Sequence, residues 1–150
     1  MTTLYQDRII TAPVPTPENQ PYYDAAERGE LLIKRCLACA AYHFHPRTIC
    51  PHCFSDQTQW VVAQGVGTIY TFSVSRRVLP TAYAIAYVTL AEGVSMMTNI
   101  VDCDLDALTI GQAVGWSSSL RTAGRRWRCS PRRSAPDTAG DGTRHAIRER

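Results

Sequence analysis

The sequence predicts a mainly β protein: one short helix, a four-cysteine metal ribbon and a small barrel, followed by a basic tail. Three observations carry this reading. Two Cys-x-x-Cys pairs, Cys36/Cys39 and Cys50/Cys53, bracket a short alternating segment. Beyond Trp60, four or five strand-like runs bounded by glycines fall within about 55 residues, the density of a small closed or nearly closed barrel. After Gly115 that texture ends, and the large apolar residues of 116–150 reduce to Trp116, Leu120, Trp127 and Ile147.

Each element has its own signals. Residues 1–16 are rich in Thr and Pro and predict a flexible arm. Thr16-Pro17-Glu18 reads as a helix start, with Thr as N-cap, Pro at the first helical position and an acid near the positive end. The helix should run to about Arg28 and stop at Gly29, leaving Tyr22, Tyr23 and Ala26 as a partly exposed docking stripe. Residues 30–35 form a short strand entering the first cysteine pair, and residues 41–45 alternate before the second, so a hairpin carries a pair at each end. The barrel strands are 68–75, with Tyr70, Phe72 and Val74 on one face, then 83–90, 94–101 and 110–114. The expected domains are 1–16, 17–59, 60–115 and 116–150.

Charge is divided as sharply as hydrophobicity. The chain of 150 residues carries a formal +3, yet residues 1–115 hold seven Lys/Arg against ten Asp/Glu, whereas residues 116–150 hold nine Arg against three acids. The folding part is therefore acidic, and an argument from basicity to nucleic acid concerns the tail alone. That tail cannot bury enough apolar surface to repay its ordering and is expected to be disordered. Its composition is also what a shifted frame of a GC-rich gene encodes, which resequencing tests. No apolar run reaches the ~20 residues of a membrane helix, and residues 1–10 lack a secretory layout, so a cytoplasmic protein is expected.

Two knuckles separated by ten residues bring four thiolates to one point, the closed tetrahedral geometry of structural zinc. Iron fits the same sulfur cage. With no ligand position left for water, the metal would support folding rather than chemistry, supplying on the order of 10 kcal/mol to a ribbon too small to fold alone. The metal ligands are thus Cys36, Cys39, Cys50 and Cys53, while His43, His45 and His52 are read as surrounding groups. Ala40 stands where a glycine often relieves the first knuckle. Cys103 is expected to be a small buried residue and Cys129 an exposed tail thiol.

The ordered set Tyr22-Tyr23, Gly29-Glu30-Leu31, the two cysteine pairs around Phe44-His45-Pro46-Arg47, Trp60, Gly65–Ser73, 83–90, Glu92-Gly93 and Ile110–Val114 resembles a known family. It is similar to the acyl-CoA-associated OB-fold family (domain-of-unknown-function family thirty-five), over about residues 17–115. The resemblance implies a rubredoxin-like zinc ribbon joined to an OB-fold barrel. It also implies an auxiliary, non-catalytic subunit that assembles with a thiolase-fold partner and shares its acyl-CoA ligand during carbon–carbon bond cleavage or formation. The family continues with an apolar strand after Val114, where this chain has Gly115-Trp116-Ser117; closure then falls to another segment or a partner.

Consistent with an auxiliary role, the sequence shows no catalytic triad, nucleophile elbow, phosphate-cradling glycine loop or paired-carboxylate motif. Arg76 and Arg77, at a strand end, are candidate contacts for CoA phosphates, against the plainer reading of a solvated loop. Tyr70, Phe72, Tyr83 and Tyr87 read as barrel filling rather than a stacking platform, and one of Met96 and Met97 should face the core. The alternative function is an OB-fold nucleic-acid-binding protein using the basic tail; the acidic folded part disfavours it.

Overall fold

The computed structural model describes residues 14–76, 82–117 and 126–129. Its helix α1 spans Gln20–Glu27, three residues later than the Thr16-Pro17 signal predicts. The reason is Pro21: a helix begun at Pro17 would place this residue where it must donate an N–H it lacks, whereas a start at Gln20 puts it in the first turn. The preceding residues form a turn instead, with Gln20 N–H bonded to the Thr16 carbonyl and Thr16 N–H to the Asn19 side chain at 2.7 Å. Gly29 has the left-handed φ of +85° expected of the helix stop. Of the anticipated partly exposed stripe, Tyr22 is corrected: it is buried, like Ala25, and packs against Phe44 with ring centroids 5.8 Å apart, while Tyr23 and Ala26 are half-buried.

The ribbon is a three-stranded antiparallel sheet in the order β2-β1-β3, from β1 (Leu32–Cys36), β2 (Tyr42–His43) and β3 (Thr58–Val62). Leu31, Leu32 and Ile33 enter the core: β1 packs against α1, and these side chains belong to the apolar cluster that continues into the barrel. Five further strands close the barrel: β4 (Val66–Ser75), β5 (Tyr83–Leu90), β6 (Ser95–Val101), β7 (Ala113–Ser117) and β8 (Arg126–Cys129). Their order is β4-β5-β6-β8-β7, antiparallel except for the β6–β8 pair, with β7 returning to β4. Counted within the barrel this is 1-2-3-5-4, the Greek-key order of an OB fold. Ile69, Val88, Met96, Ile100, Leu105 and Val114 fill it and join Tyr22, Leu31 and Ile33 in one apolar cluster.

Three expectations are corrected here. Residues 116–117 and 126–129, assigned to a disordered tail, are strand: β8 bonds both β6 and β7 and supplies the closing segment. The remainder of that tail lies outside the described residues, as do the arm up to residue 13 and Arg77. The last predicted strand, 110–114, begins three residues later at Ala113, and Ile110 is exposed. Among the aromatic residues read as core, Tyr70 and Tyr87 point to solvent, Phe72 is partly buried on the core, and Tyr83 is half-buried. In β5 the small residues Ala84 and Ala86 face inward and the tyrosines outward, because a five-stranded barrel has little interior width. In β4 a register shift between Ile69 and Thr71 puts Tyr70 outside while Ile69 stays in. Met96 is buried and Met97 exposed, as anticipated.

Gly67 marks how closely β4 crosses β5, since a Cβ there would lie 2.6 Å from the Thr89 carbonyl oxygen.

Candidate metal centre

The two knuckles are near copies of one another. In each, the N–H of the first cysteine bonds a carbonyl five residues on, Cys36 to Ala41 and Cys50 to Ser55, both at 2.9 Å. In each, the residue after the second cysteine is left-handed, Ala40 at φ +60° and Phe54 at φ +61°. Neither is glycine, so each turn carries a steric cost of about 1 kcal/mol that the site must offset. The pairing of β1 with β2 and β3 brings the two turns face to face.

The four sulfurs meet as the spacing predicts. Cys36, Cys39, Cys50 and Cys53 place their Sγ atoms within 4.8 Å of one another. Two cross-knuckle edges, Cys36–Cys53 and Cys39–Cys50, measure 3.6 and 3.7 Å. A tetrahedron with metal–sulfur bonds of ~2.3 Å has edges of ~3.8 Å, so the cage fits zinc with no vacancy. Cys36 and Cys50 are buried while Cys39 and Cys53 reach the surface. Backbone N–H groups of Cys39 and Ala38 point at the Cys36 sulfur and hold its thiol down to about 7, which favours the thiolate a metal needs.

None of the three histidines joins the cage among the described residues. His43 is buried on β2, its Nε2 3.5 Å from the Arg47 carbonyl oxygen, and burial pushes its pKa down. Beside it Lys34, also buried, lies over the Trp60 ring at 4.5 Å, its pKa lowered by desolvation. Sequence reasoning missed the tie that fastens α1's entry to this loop: Glu18 accepts bonds from the Thr48 N–H (2.6 Å) and hydroxyl (2.8 Å). The hydroxyl bond and then the N–H bond hold its carboxyl below the usual 4.5. A contact between residues thirty positions apart has no local signature. An open cleft of about 490 Å³ adjoins the tie, walled by His45, Arg47, Ile49 and Phe54.

The other candidate site fares differently. Arg76 directly follows β4 and is ion-paired with Asp106, a partner the sequence did not suggest.

A closed four-sulfur ribbon on a five-stranded barrel of this strand order defines the class: a zinc-ribbon and OB-fold protein. Two family models match in that order, the rubredoxin-like zinc ribbon domain of ChsH2 over residues 24–59 and its C-terminal OB-fold domain over 60–116. The chain belongs to the ChsH2/DUF35 family. It is 34% identical over 96 residues to a DUF35 domain-containing scaffold protein of Methanothermobacter thermautotrophicus, covering 59% of this chain and 71% of that one. It is 34% identical over 101 residues to a probable enoyl-CoA hydratase alpha subunit of Thermomonospora curvata, covering 65% of this chain but only 32% of the relative's length. Among solved structures, a chain of the Ltp2-ChsH2(DUF35) aldolase superposes with a TM-score of 0.66 at 30% identity, over 78% of this chain and 98% of that one. A DUF35 protein of unknown function from Sulfolobus solfataricus shares the fold, with a TM-score of 0.58 at 11% identity, over 76% of this chain and 86% of that one.

Proposed function

We propose that this chain is an auxiliary subunit of an acyl-CoA enzyme complex, seated on a thiolase-fold partner that holds the catalytic groups and makes or breaks a carbon–carbon bond in an acyl-CoA thioester. The observation that carries this reading is the likeness, over nearly the whole of that chain, to the ChsH2 component of an aldolase paired with Ltp2. The relative described as a hydratase subunit keeps the proposal within acyl-CoA chemistry. Cys36, Cys39, Cys50 and Cys53 would hold one zinc ion. With all four positions taken by sulfur, it would brace the ribbon rather than activate water.

Arg76 and Arg77 are retained as candidate contacts for CoA phosphates. The Asp106 carboxylate opposes this role at Arg76, which must leave that partner to meet a phosphate.

Co-expression with a thiolase-fold protein encoded beside this gene tests the reading. Stable co-purification and acyl-CoA cleavage that requires both chains are expected. Absence of association, together with salt-sensitive binding of single-stranded DNA by a chain truncated after Cys129, would favour the nucleic-acid alternative instead.

A further inference from the structure

Four of the six cysteines form the metal cage; the other two belong to no motif and lie far apart in the sequence. The fold nevertheless brings them together. Strand β8 runs parallel to the end of β6 with Val101 opposite Arg128, so Cys129, the last residue of β8, lies beside the chain as it leaves β6. Asp102, left-handed at φ +54°, turns the chain out of β6 and forms an ion pair with Arg128 at 2.7 Å. Cys103 and Cys129 then pack side by side against the barrel core, each partly buried and within hydrogen-bond contact of the other's thiol.

We propose that Cys103 and Cys129 are a redox-active dithiol whose disulfide fastens β8 in place and locks the barrel closed. Strand β8 is short, and it is the piece that joins β6 to β7, so a covalent link at its end acts on closure itself. The chemistry is ordinary exchange with a low-molecular-weight disulfide such as oxidised glutathione. The bond from Cys103, and a lesser one from Gln112, favour thiolate at Cys129, whereas Cys103 is held protonated by the same contact. Cys129 attacks one sulfur of the small disulfide and expels its other half as a thiolate, which takes up a proton. Cys103 then loses its proton and attacks the Cys129 sulfur of the mixed disulfide, releasing the second small thiol. Two protein thiols are oxidised and one small disulfide is reduced to two thiols, so atoms and electrons balance.

The test uses the full zinc-loaded chain equilibrated in oxidised and reduced glutathione, trapped by alkylation, digested and weighed. As the oxidised fraction rises, two alkylated peptides should give way to a Cys103–Cys129 cross-linked peptide that is two hydrogens lighter than the sum of the two unalkylated peptides, with zinc content unchanged. The thermal midpoint should rise by roughly 5 °C, reversibly with reductant, and Cys129→Ser should show neither change. The proposal is overturned by a glutathione adduct that persists on Cys129 without an internal link, by loss of zinc before the pair oxidises, or by a link that leaves the midpoint unmoved. Because the decisive readings come from the unmodified chain, a poorly folding variant does not obscure them.

Discussion

The ribbon and the barrel are both built of sheet but differ in what fills them. Between residues 36 and 57, Cys36, His43, Pro46 and Cys50 are the buried side chains, and Leu37, Ile49 and Phe54 are left exposed. The barrel buries Ile69, Val88, Met96, Ile100, Leu105 and Val114. One unit has a four-sulfur cage suited to a metal in place of a large apolar core; the other relies on close packing. The difference should show as two separable responses to damage.

The largest effect is expected at the metal. Cys39→Ser, or a strong chelator, should release zinc and unfold the knuckles, since binding there is worth on the order of 10 kcal/mol. Metal content and circular dichroism would follow it, and a protein that keeps one zinc per chain with unchanged thermal stability would contradict the cage. Cutting into the barrel should do the reverse. Ile100→Ala removes a fully buried side chain and should cost about 2–5 kcal/mol of unfolding free energy, read from a lowered denaturant midpoint, while zinc stoichiometry stays intact. Loss of both signals together in Ile100→Ala would mean that the two units fold as one, which their shared apolar cluster around Leu31 and Ile33 makes a real competitor.

A third prediction addresses the joint. Gln64, in the connection from β3 to β4, donates its N–H at 2.7 Å to the Glu92 carboxylate in the β5–β6 turn. Nearby, Trp116 N–H bonds the Gly65 carbonyl at 2.7 Å and Ala63 N–H bonds Leu31 at 2.8 Å. Glu92→Ala leaves one backbone donor without its acceptor and should cost roughly 1–2 kcal/mol. Hydrogen exchange should rise at Gln64 before it rises in β1 or β5; uniform loosening of the barrel would show instead that the turn, not the joint, depends on Glu92.

What could be read from the residues follows the range of the interaction that specifies each feature. Cys36, Cys39, Cys50 and Cys53 announce the cage because the knuckle is local and its spacing fixes where the sulfurs point. Strand β5 was legible with its ends, since Tyr83–Leu90 alternates between two turn signals. Which side of that alternation is inside was not, because Ala84/Ala86 against Tyr83/Tyr87 is decided by the barrel's width. Strand β8 has no local signature for a related reason: Arg-Trp-Arg-Cys carries two charges, has no β-branched residue and gains its ladder from β6 and β7. The helix starts at Gln20 rather than Pro17 because Pro21 is tolerated only in the first turn. The Arg76–Asp106 and Cys103–Cys129 pairs join residues distant in the chain, so composition and motif spacing are silent about them.

The smallest expected effect lies at the edge of the ribbon, where a charge rather than a metal does the fastening. Glu18 accepts two bonds from Thr48, and its folded-state carboxyl titrates below 4.5. A group whose folded pKa is depressed stabilises the fold above its unfolded value and loses that contribution as pH falls through the folded one. Glu18→Gln keeps the shape and removes the charge, so the variant should melt slightly below the parent at pH 7, with the gap closing below about pH 4. The cage must be followed in parallel, because protonation of its thiolates releases metal over the same acid range. If the gap persists unchanged in acid, the tie acts through shape alone and the carboxylate's charge is immaterial. If it closes while zinc remains bound, the ribbon has two independent fasteners, one metallic and one ionic, and the barrel has neither at its core.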